Sequence, residues 1–183
     1  AGLLLAAAWV WWASSREVVT GVKPLNSNGT TGRALIVYHP GLSDFPDRVT
    51  ASFAAGLAAS GWRVERTTAS IQAPGDLDGY DLLVLGSPVY ANAAATPLSR
   101  YLERLGDLRG KPVALVFTAA GDAGPALAAT AERATAAHGR VVGKYGYTTQ
   151  RPNGASPSAG GSNVDQAIAM AHDAGRALSP AAQ

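Results

Sequence analysis

Apolar and polar positions divide this chain into three unequal stretches. Residues 1–13, AGLLLAAAWVWWA, carry no charge and break abruptly into Ser14-Ser15-Arg16-Glu17. Residues 20–32, TGVKPLNSNGTTG, are polar and rich in Gly, Asn and Pro, and read as a linker. From Arg33 onward, short apolar runs alternate with amphipathic ones, which is the signature of strands interleaved with helices.

Strands are predicted at 33–38 (RALIVY), 62–66 (WRVER), 81–85 (DLLVL), 112–117 (PVALVF) and 140–145 (RVVGKY). The first is a short apolar run, as expected of a strand covered on both faces, and 81–85 reads as a buried strand. Trp62–Arg66 alternates instead and reads as an edge strand. Helices are predicted from about Phe45 to Ser60, stopped by Gly61, from Pro97 to Leu105, and from Pro125 to His138. A last helix opens at Ser162 with Asp165 three residues on, a capping-box pattern, and turns Val164, Ile168, Ala171 and Leu178 inward. Five strands alternating with helices predict an α/β domain with a doubly wound parallel sheet over residues 33–183. The polar stretch Thr148–Gly161 reads as a docking or capping loop, or equally as a mobile insertion.

The N-terminal stretch predicts a transmembrane helix with its interface over residues 1–19. Leu3, Leu4 and Leu5 form its apolar body, and Trp9, Trp11 and Trp12 crowd its end, where indoles bury their rings in lipid and keep N–H near the headgroups. Thirteen helical residues span about 20 Å against roughly 30 Å of hydrocarbon, so the expected helix begins upstream of Ala1. A signal-peptide remnant would show small residues at a cleavage site, and a buried core helix would show a polar face. The membrane reading is preferred over both. Arg16, Lys23 and Arg33 after the helix argue for a cytoplasmic domain, while a lone N-terminal anchor argues for export. The expectation is a single-pass protein of the cell inner membrane with a periplasmic domain.

Composition narrows the chemistry. The chain of 183 residues is 47% hydrophobic and 15% charged, with a formal charge of +2 and no long basic run, so nucleic acid is not an expected partner. It has no cysteine, which removes disulfides, thiolate metal sites and a cysteine nucleophile. The three histidines, His39, His138 and His172, are scattered without metal-binding spacing, and no metal or catalytic residue is expected. His138 reads as a dipole partner at a helix end. His39 ends the first predicted strand at the mouth of any site. Ser87 lacks a nucleophile elbow, and no phosphate-binding glycine motif is present.

The run Gly79-Tyr80-Asp81-Leu82-Leu83-Val84-Leu85-Gly86-Ser87-Pro88-Val89-Tyr90, with Pro97-Leu98 and Tyr101-Leu102 after it, resembles the flavodoxin family over Arg33 to about Leu178. The resemblance implies a five-stranded parallel sheet of order 2-1-3-4-5, with FMN above the carboxyl ends of the strands. In that family the loop after the first strand is rich in hydroxyls and wraps the FMN phosphate. Here it reads His39-Pro40-Gly41-Leu42-Ser43-Asp44-Phe45-Pro46-Asp47, with one hydroxyl, Ser43. Pro40 and Pro46 each remove an N–H donor, and Asp44 and Asp47 are spaced to cap the helix with carboxylates that would repel a phosphate. The loop is therefore read as degenerate. Should FMN bind, the resemblance assigns its ring to Ser87, Pro88, Val89 and Tyr90, and its pyrimidine edge to Thr118, Gly121 and Asp122. For Tyr90 packing under a surface loop is an equal alternative, and for Asp122 capping of the next helix.

Two functional readings follow. The favoured one is a membrane-anchored accessory subunit of an electron-transfer or photosynthetic membrane complex, with a binding role and no tight FMN. The other keeps the redox role, as a tethered FMN-binding flavodoxin or a quinone-linked oxidoreductase resembling the menaquinone-dependent protoporphyrinogen oxidases. Expected partners are the lipid bilayer and an integral-membrane complex. Whether the chain is an enzyme is left open, with the binding role favoured.

Overall fold

The computed structural model describes residues 8, 9, 11, 12, 14–150, 153 and 162–178. In chain order the elements are β1 (Lys23–Asn26), β2 (Gly32–Tyr38), α1 (Phe45–Ala59), β3 (Trp62–Thr68), β4 (Leu82–Tyr90), β5 (Ala93–Ala94), α2 (Thr96–Leu105), β6 (Pro112–Ala119), α3 (Gly124–Ala136), β7 (Arg140–Thr148) and α4 (Asn163–Ala177). The apolar runs become the parallel strands β2, β4 and β6 at the centre of the sheet because only there are both faces covered. The sheet order is β1-β3-β2-β4-β6-β7, with β5 paired to β4. Its five parallel strands, β3-β2-β4-β6-β7, reproduce the order 2-1-3-4-5, and the loops after β2, β4 and β6 gather at their carboxyl ends.

Two strands lie outside the sequence expectation. β1 pairs antiparallel with β3, Lys23 opposite Arg66 and Asn26 opposite Val64, so residues 20–32 are not simply a linker and β3 is not the sheet edge. Asn26 fixes the strand by donating from Nδ2 to the Trp62 carbonyl at 2.9 Å. The chain thus enters the domain at the carboxyl edge of the sheet, descends along β3, and returns as β2. The second addition is a hairpin. β4 runs past its apolar core to Tyr90 and turns back through Ala91 and Asn92, at φ 48° and 62°, into β5. A two-residue turn with both central residues left-handed matches the strand twist, but here no glycine relieves it.

Alternate residues of each strand point to opposite faces, so the core is two clusters. Leu35, Val37, Leu83, Leu85, Leu115 and Phe117 pack under α2 and α3. Ala34, Ile36, Val84 and Val116 pack under Val49, Phe53 and Leu57 of α1 and Ala167 and Ala171 of α4. Each large aliphatic buried in this way contributes about 1.5–3 kcal/mol. The two helices of the second face touch backbone to backbone: a Cβ on Gly56 would lie 2.0 Å from the His172 carbonyl oxygen, and one on Gly175 2.2 Å from that of Phe53. α4 opens with the expected capping box of Ser162 and Asp165, and its end is held where Trp62 Nε1 donates to the Leu178 carbonyl at 3.0 Å.

Backbone at 8, 9, 11, 12, 14 and 15 is helical, with Trp9, Trp11 and Trp12 exposed at 57%, 71% and 46%. Among the described residues no helix is long and apolar enough to cross a membrane. Leu3, Leu4 and Leu5 lie outside the described residues, as do 151, 152 and 154–161 of the long polar loop. The base of that loop is closed by Asn153, whose side chain bonds both the N–H and the carbonyl of Thr148 and also the Asn163 carbonyl.

Candidate functional site

At the carboxyl end of β2 the chain leaves the sheet through His39, which is 2% exposed. Gly41 N–H donates to His39 Nδ1 at 3.0 Å. That nitrogen is therefore the acceptor, and the proton sits on Nε2, which lies 2.8 Å from the Arg16 carbonyl and donates to it. Burial pushes the His39 pKa below its ordinary value, against the Arg16 carbonyl bond that raises it, so the ring is held neutral. Gly41 takes φ 73°, and a side chain there would press on Pro46 and Pro88. The loop is folded onto the end of β4 rather than held open.

The two aspartates do not do what their spacing suggests. Asp44 sits at the N-cap of α1 but makes no side-chain cap bond, and its carboxylate lies 3.6 Å from Arg48. Asp47 turns away from the helix axis. It accepts from Tyr38 Oη and from Arg66 Nη2, both at 2.6 Å, while the Arg66 guanidinium lies over the Tyr38 ring at 4.1 Å. Burial raises the Asp47 pKa, but the Tyr38 hydroxyl and Arg66 outweigh it and hold the carboxyl below its usual range. Tyr38 is pushed up to about 12 by burial and by the same hydrogen bond. Ser43 is exposed.

Above this loop lies a feature the sequence reading missed. Residues 16–20 cross the carboxyl edge of the sheet as a strap. Besides the Arg16–His39 bond, Glu17 Oε1 accepts a short hydrogen bond from Ile71 N–H. Thr20 and Thr68 bond reciprocally, each backbone N–H donating to the other's hydroxyl at 2.9 and 3.1 Å, and Thr67 Oγ1 donates to the Thr20 carbonyl. The strap extends the edge that β1 then continues.

The loop after β4 keeps a different character. Ser87 is buried, its hydroxyl donating to the Pro88 carbonyl at 2.7 Å and accepting from Ala95 N–H at 2.9 Å, so it shapes the turn instead of facing solvent. Val89 and Tyr90 are half-buried at the mouth. Burial raises the Tyr90 pKa, opposed by a hydrogen bond with the Leu42 backbone and by the charge of Arg16. After β6, Thr118 Oγ1 is buried with no hydrogen-bond partner. Asp122 accepts from Gly124 N–H at 2.8 Å, one residue before Ala123, which holds the N-cap of α3 without a side-chain cap bond, and Gly121 is half-buried. His138 lies beside Asp107, with Nδ1 to Oδ1 at 3.1 Å, a contact of the far end of the sheet.

The structure therefore brings Ser87, Pro88, Val89, Tyr90, Thr118 and Gly121 to one edge, with Ser43 and Asp122 at its rim. It does not bring together a phosphate cradle. Two N–H donors are missing at the prolines, the Gly41 N–H is taken by His39, and the strap is bonded to the imidazole that ends the strand. Among the described residues no group of His, Cys, Asp and Glu could hold a metal ion.

A family model described as NADPH-dependent FMN reductase matches residues 69–150, less than half of the chain. No curated protein matches the sequence. Among solved structures, a two-electron reduced flavodoxin of Megasphaera elsdenii superposes with a TM-score of 0.61 at 20% identity, covering 79% of this chain and 99% of its own. An NAD(P)H:quinone oxidoreductase from Methanothermobacter marburgensis gives 0.56 at 16%, covering 80% and 96%. An azoreductase from Bacillus anthracis gives 0.60 at 11%, covering 80% and 100%. Sheet order, loop placement and these superpositions agree that the chain has the flavodoxin-like α/β fold.

Proposed function

We propose that this flavodoxin-fold domain acts as a binding module, carried at a membrane by its Trp-rich N-terminal helix, and serves as an accessory subunit of an electron-transfer or photosynthetic membrane assembly without tight FMN. The observation that carries the reading is the sealed loop after β2, where prolines, the His39–Gly41 bond and the strap take the place of phosphate donors. The proposed anchor enters the domain at the carboxyl edge, so that edge faces the inner membrane, on the periplasmic side. Its partners are the bilayer and an integral-membrane complex, which the exposed Trp9, Trp11 and Trp12 are suited to meet.

A second reading, a tethered FMN protein passing electrons to a membrane partner or quinone, draws on two observations. The family model covers the loops after β4 and β6, and Thr118 Oγ1 is an unsatisfied buried hydroxyl between them. One titration separates the readings. The full chain, purified in mild detergent, is expected to be colourless and to bind added FMN with a Kd weaker than about 1 μM, or −8.2 kcal/mol. Tighter binding, or a yellow preparation, overturns the accessory reading in favour of the second. Pull-down from native membranes is expected to return further subunits, and recovery of the protein alone would sink the subunit assignment.

A further inference from the structure

Beside the strap a cavity of about 180 Å³ opens between the segment after β3 and one face of α2, and only the lipid source considered below rests on the membrane anchor proposed above. Its wall is built from Ser70, Ile71, Arg100, Tyr101 and Arg104, with Glu17 reaching in from the strap. Arg104 is held rigidly. Its Nη1 donates to the Ile71 carbonyl at 2.8 Å, its Nη2 to those of Ser70 and Ala73 at 3.1 and 2.8 Å, and it lies 5.3 Å from the Tyr101 ring centroid. Arg100, one turn earlier on the same face, forms no ion pair among the described residues. Neither guanidinium is neutralised by a carboxylate within ion-pair distance, so Glu17 is the single negative group lining a site with two positive ones. Ser70 Oγ, in a residue 5% exposed, has no hydrogen-bond partner.

These groups share one chemical demand. A backbone N–H, a preset guanidinium, a free guanidinium and an unpartnered hydroxyl converge on a small space, and each is a donor to an oxyanion. Glu17 supplies one oxyanion from within the chain and spends it on Ile71 N–H. We propose that this cavity is an oxyanion-binding site, filled in the described state by the Glu17 carboxylate, and that a phosphate group from outside competes with Glu17 for it. The external ligand takes over the Ile71 N–H, Arg100 and the Ser70 hydroxyl, and the strap loses its contact at Glu17. The phosphate comes either from a free ion or from a lipid headgroup, the latter brought close by the neighbouring Trp helix.

The test is a titration of the full-length chain in detergent, followed by the backbone amide resonance of Ile71, with inorganic phosphate against sodium chloride at matched ionic strength. In Glu17→Gln, which removes the internal charge and keeps the side chain's size, phosphate is expected to bind about tenfold or more tightly than in the native chain. Arg100→Ala placed on Glu17→Gln is expected to cancel that gain, and Ser70→Ala to reduce it. A parallel arm uses vesicles of phosphatidylcholine with and without phosphatidylglycerol. If Glu17→Gln strengthens binding only to the phosphatidylglycerol vesicles, and Arg100→Ala removes the effect, the oxyanion is a lipid headgroup. If neither probe binds Glu17→Gln more tightly than the native chain, or if Arg100→Ala leaves the gain intact, the proposal is overturned. A failure here leaves the FMN titration untouched, since that site lies at the His39 and Ser87 loops.

Discussion

Two loops at the same edge of the sheet have taken opposite paths. The loop after β2 is closed on itself: His39 is buried and bonded on both ring nitrogens, Gly41 folds back against Pro46 and Pro88, and the strap lies over it. The loop after β4 holds its shape through the Ser87 bonds, yet it carries strain in its hairpin and leaves Val89 and Tyr90 half-buried at the mouth. One loop is anchored in the core at His39, Phe45 and Pro46 while Leu42, Ser43 and Asp44 between them stay exposed, and the other holds Val89 and Tyr90 half-buried at its mouth. Within one fold, two neighbouring loops at the same edge are held in different ways, the first by a buried imidazole and prolines and the second by the Ser87 hydroxyl.

Substituting Gly41 tests the closed loop most severely. Gly41→Val puts a β-branched residue at φ 73° with its Cβ 2.9 Å from Pro46, and the expected loss is about 2–3 kcal/mol in urea unfolding. Little or no loss would mean that the β2 loop is not packed as described. The open loop predicts the reverse sign. Ala91→Gly relieves a left-handed alanine at φ 48° and is expected to stabilise by about 1 kcal/mol in the same assay, without moving the strap.

Smaller effects come from protons. His39 is held below its ordinary pKa of 6.5 by burial, against the Arg16 carbonyl bond. Its contribution is complete above 6.5, where the ring is neutral folded or unfolded, and is lost as the pH falls through the lower folded value. Between about pH 8 and about pH 5 the native chain is expected to lose more Tm than His39→Gln, with the difference appearing below pH 6.5. Parallel curves would show that the imidazole is not buried in the loop. Asp47 should give the smallest change, because its carboxylate is nearly half exposed and screened by solvent. Its pKa is depressed below 3.8, so its contribution holds above that value and fades as the pH drops through the folded one. Asp47→Asn is expected to flatten the acid limb of the stability profile, and an unchanged limb would show that the Tyr38–Asp47–Arg66 contact contributes nothing.

What could be read beforehand follows from which forces leave a mark in sequence. The parallel strands and their helices were legible because burial on two faces demands continuous apolar runs such as Leu35-Ile36-Val37 and Leu82-Leu83-Val84, and the α4 cap was legible because Ser162 and Asp165 serve each other locally. The strap and β1 were not, since a mostly exposed strand of Lys-Pro-Leu-Asn buries little and is held by backbone pairing to a distant partner. Asp44 and Asp47 have the spacing of caps, but Arg66, nineteen positions beyond Asp47 on β3, decides where the second carboxylate goes. The β4–β5 turn lacked the usual glycine, so its hairpin was hidden.

The route of the chain into the domain also has a mechanical consequence. Any pull on the N-terminal helix reaches the domain through the strap before it reaches the sheet. The load falls first on the Arg16–His39 and Glu17–Ile71 bonds, then on the Thr20–Thr68 pair, and only afterwards on β1. These are a few polar contacts at a solvent-accessible edge, far weaker than the two apolar cores. Tension on the helix would therefore strip the strap and uncover the carboxyl edge while the remainder of the domain stays folded, as a seam yields before the cloth.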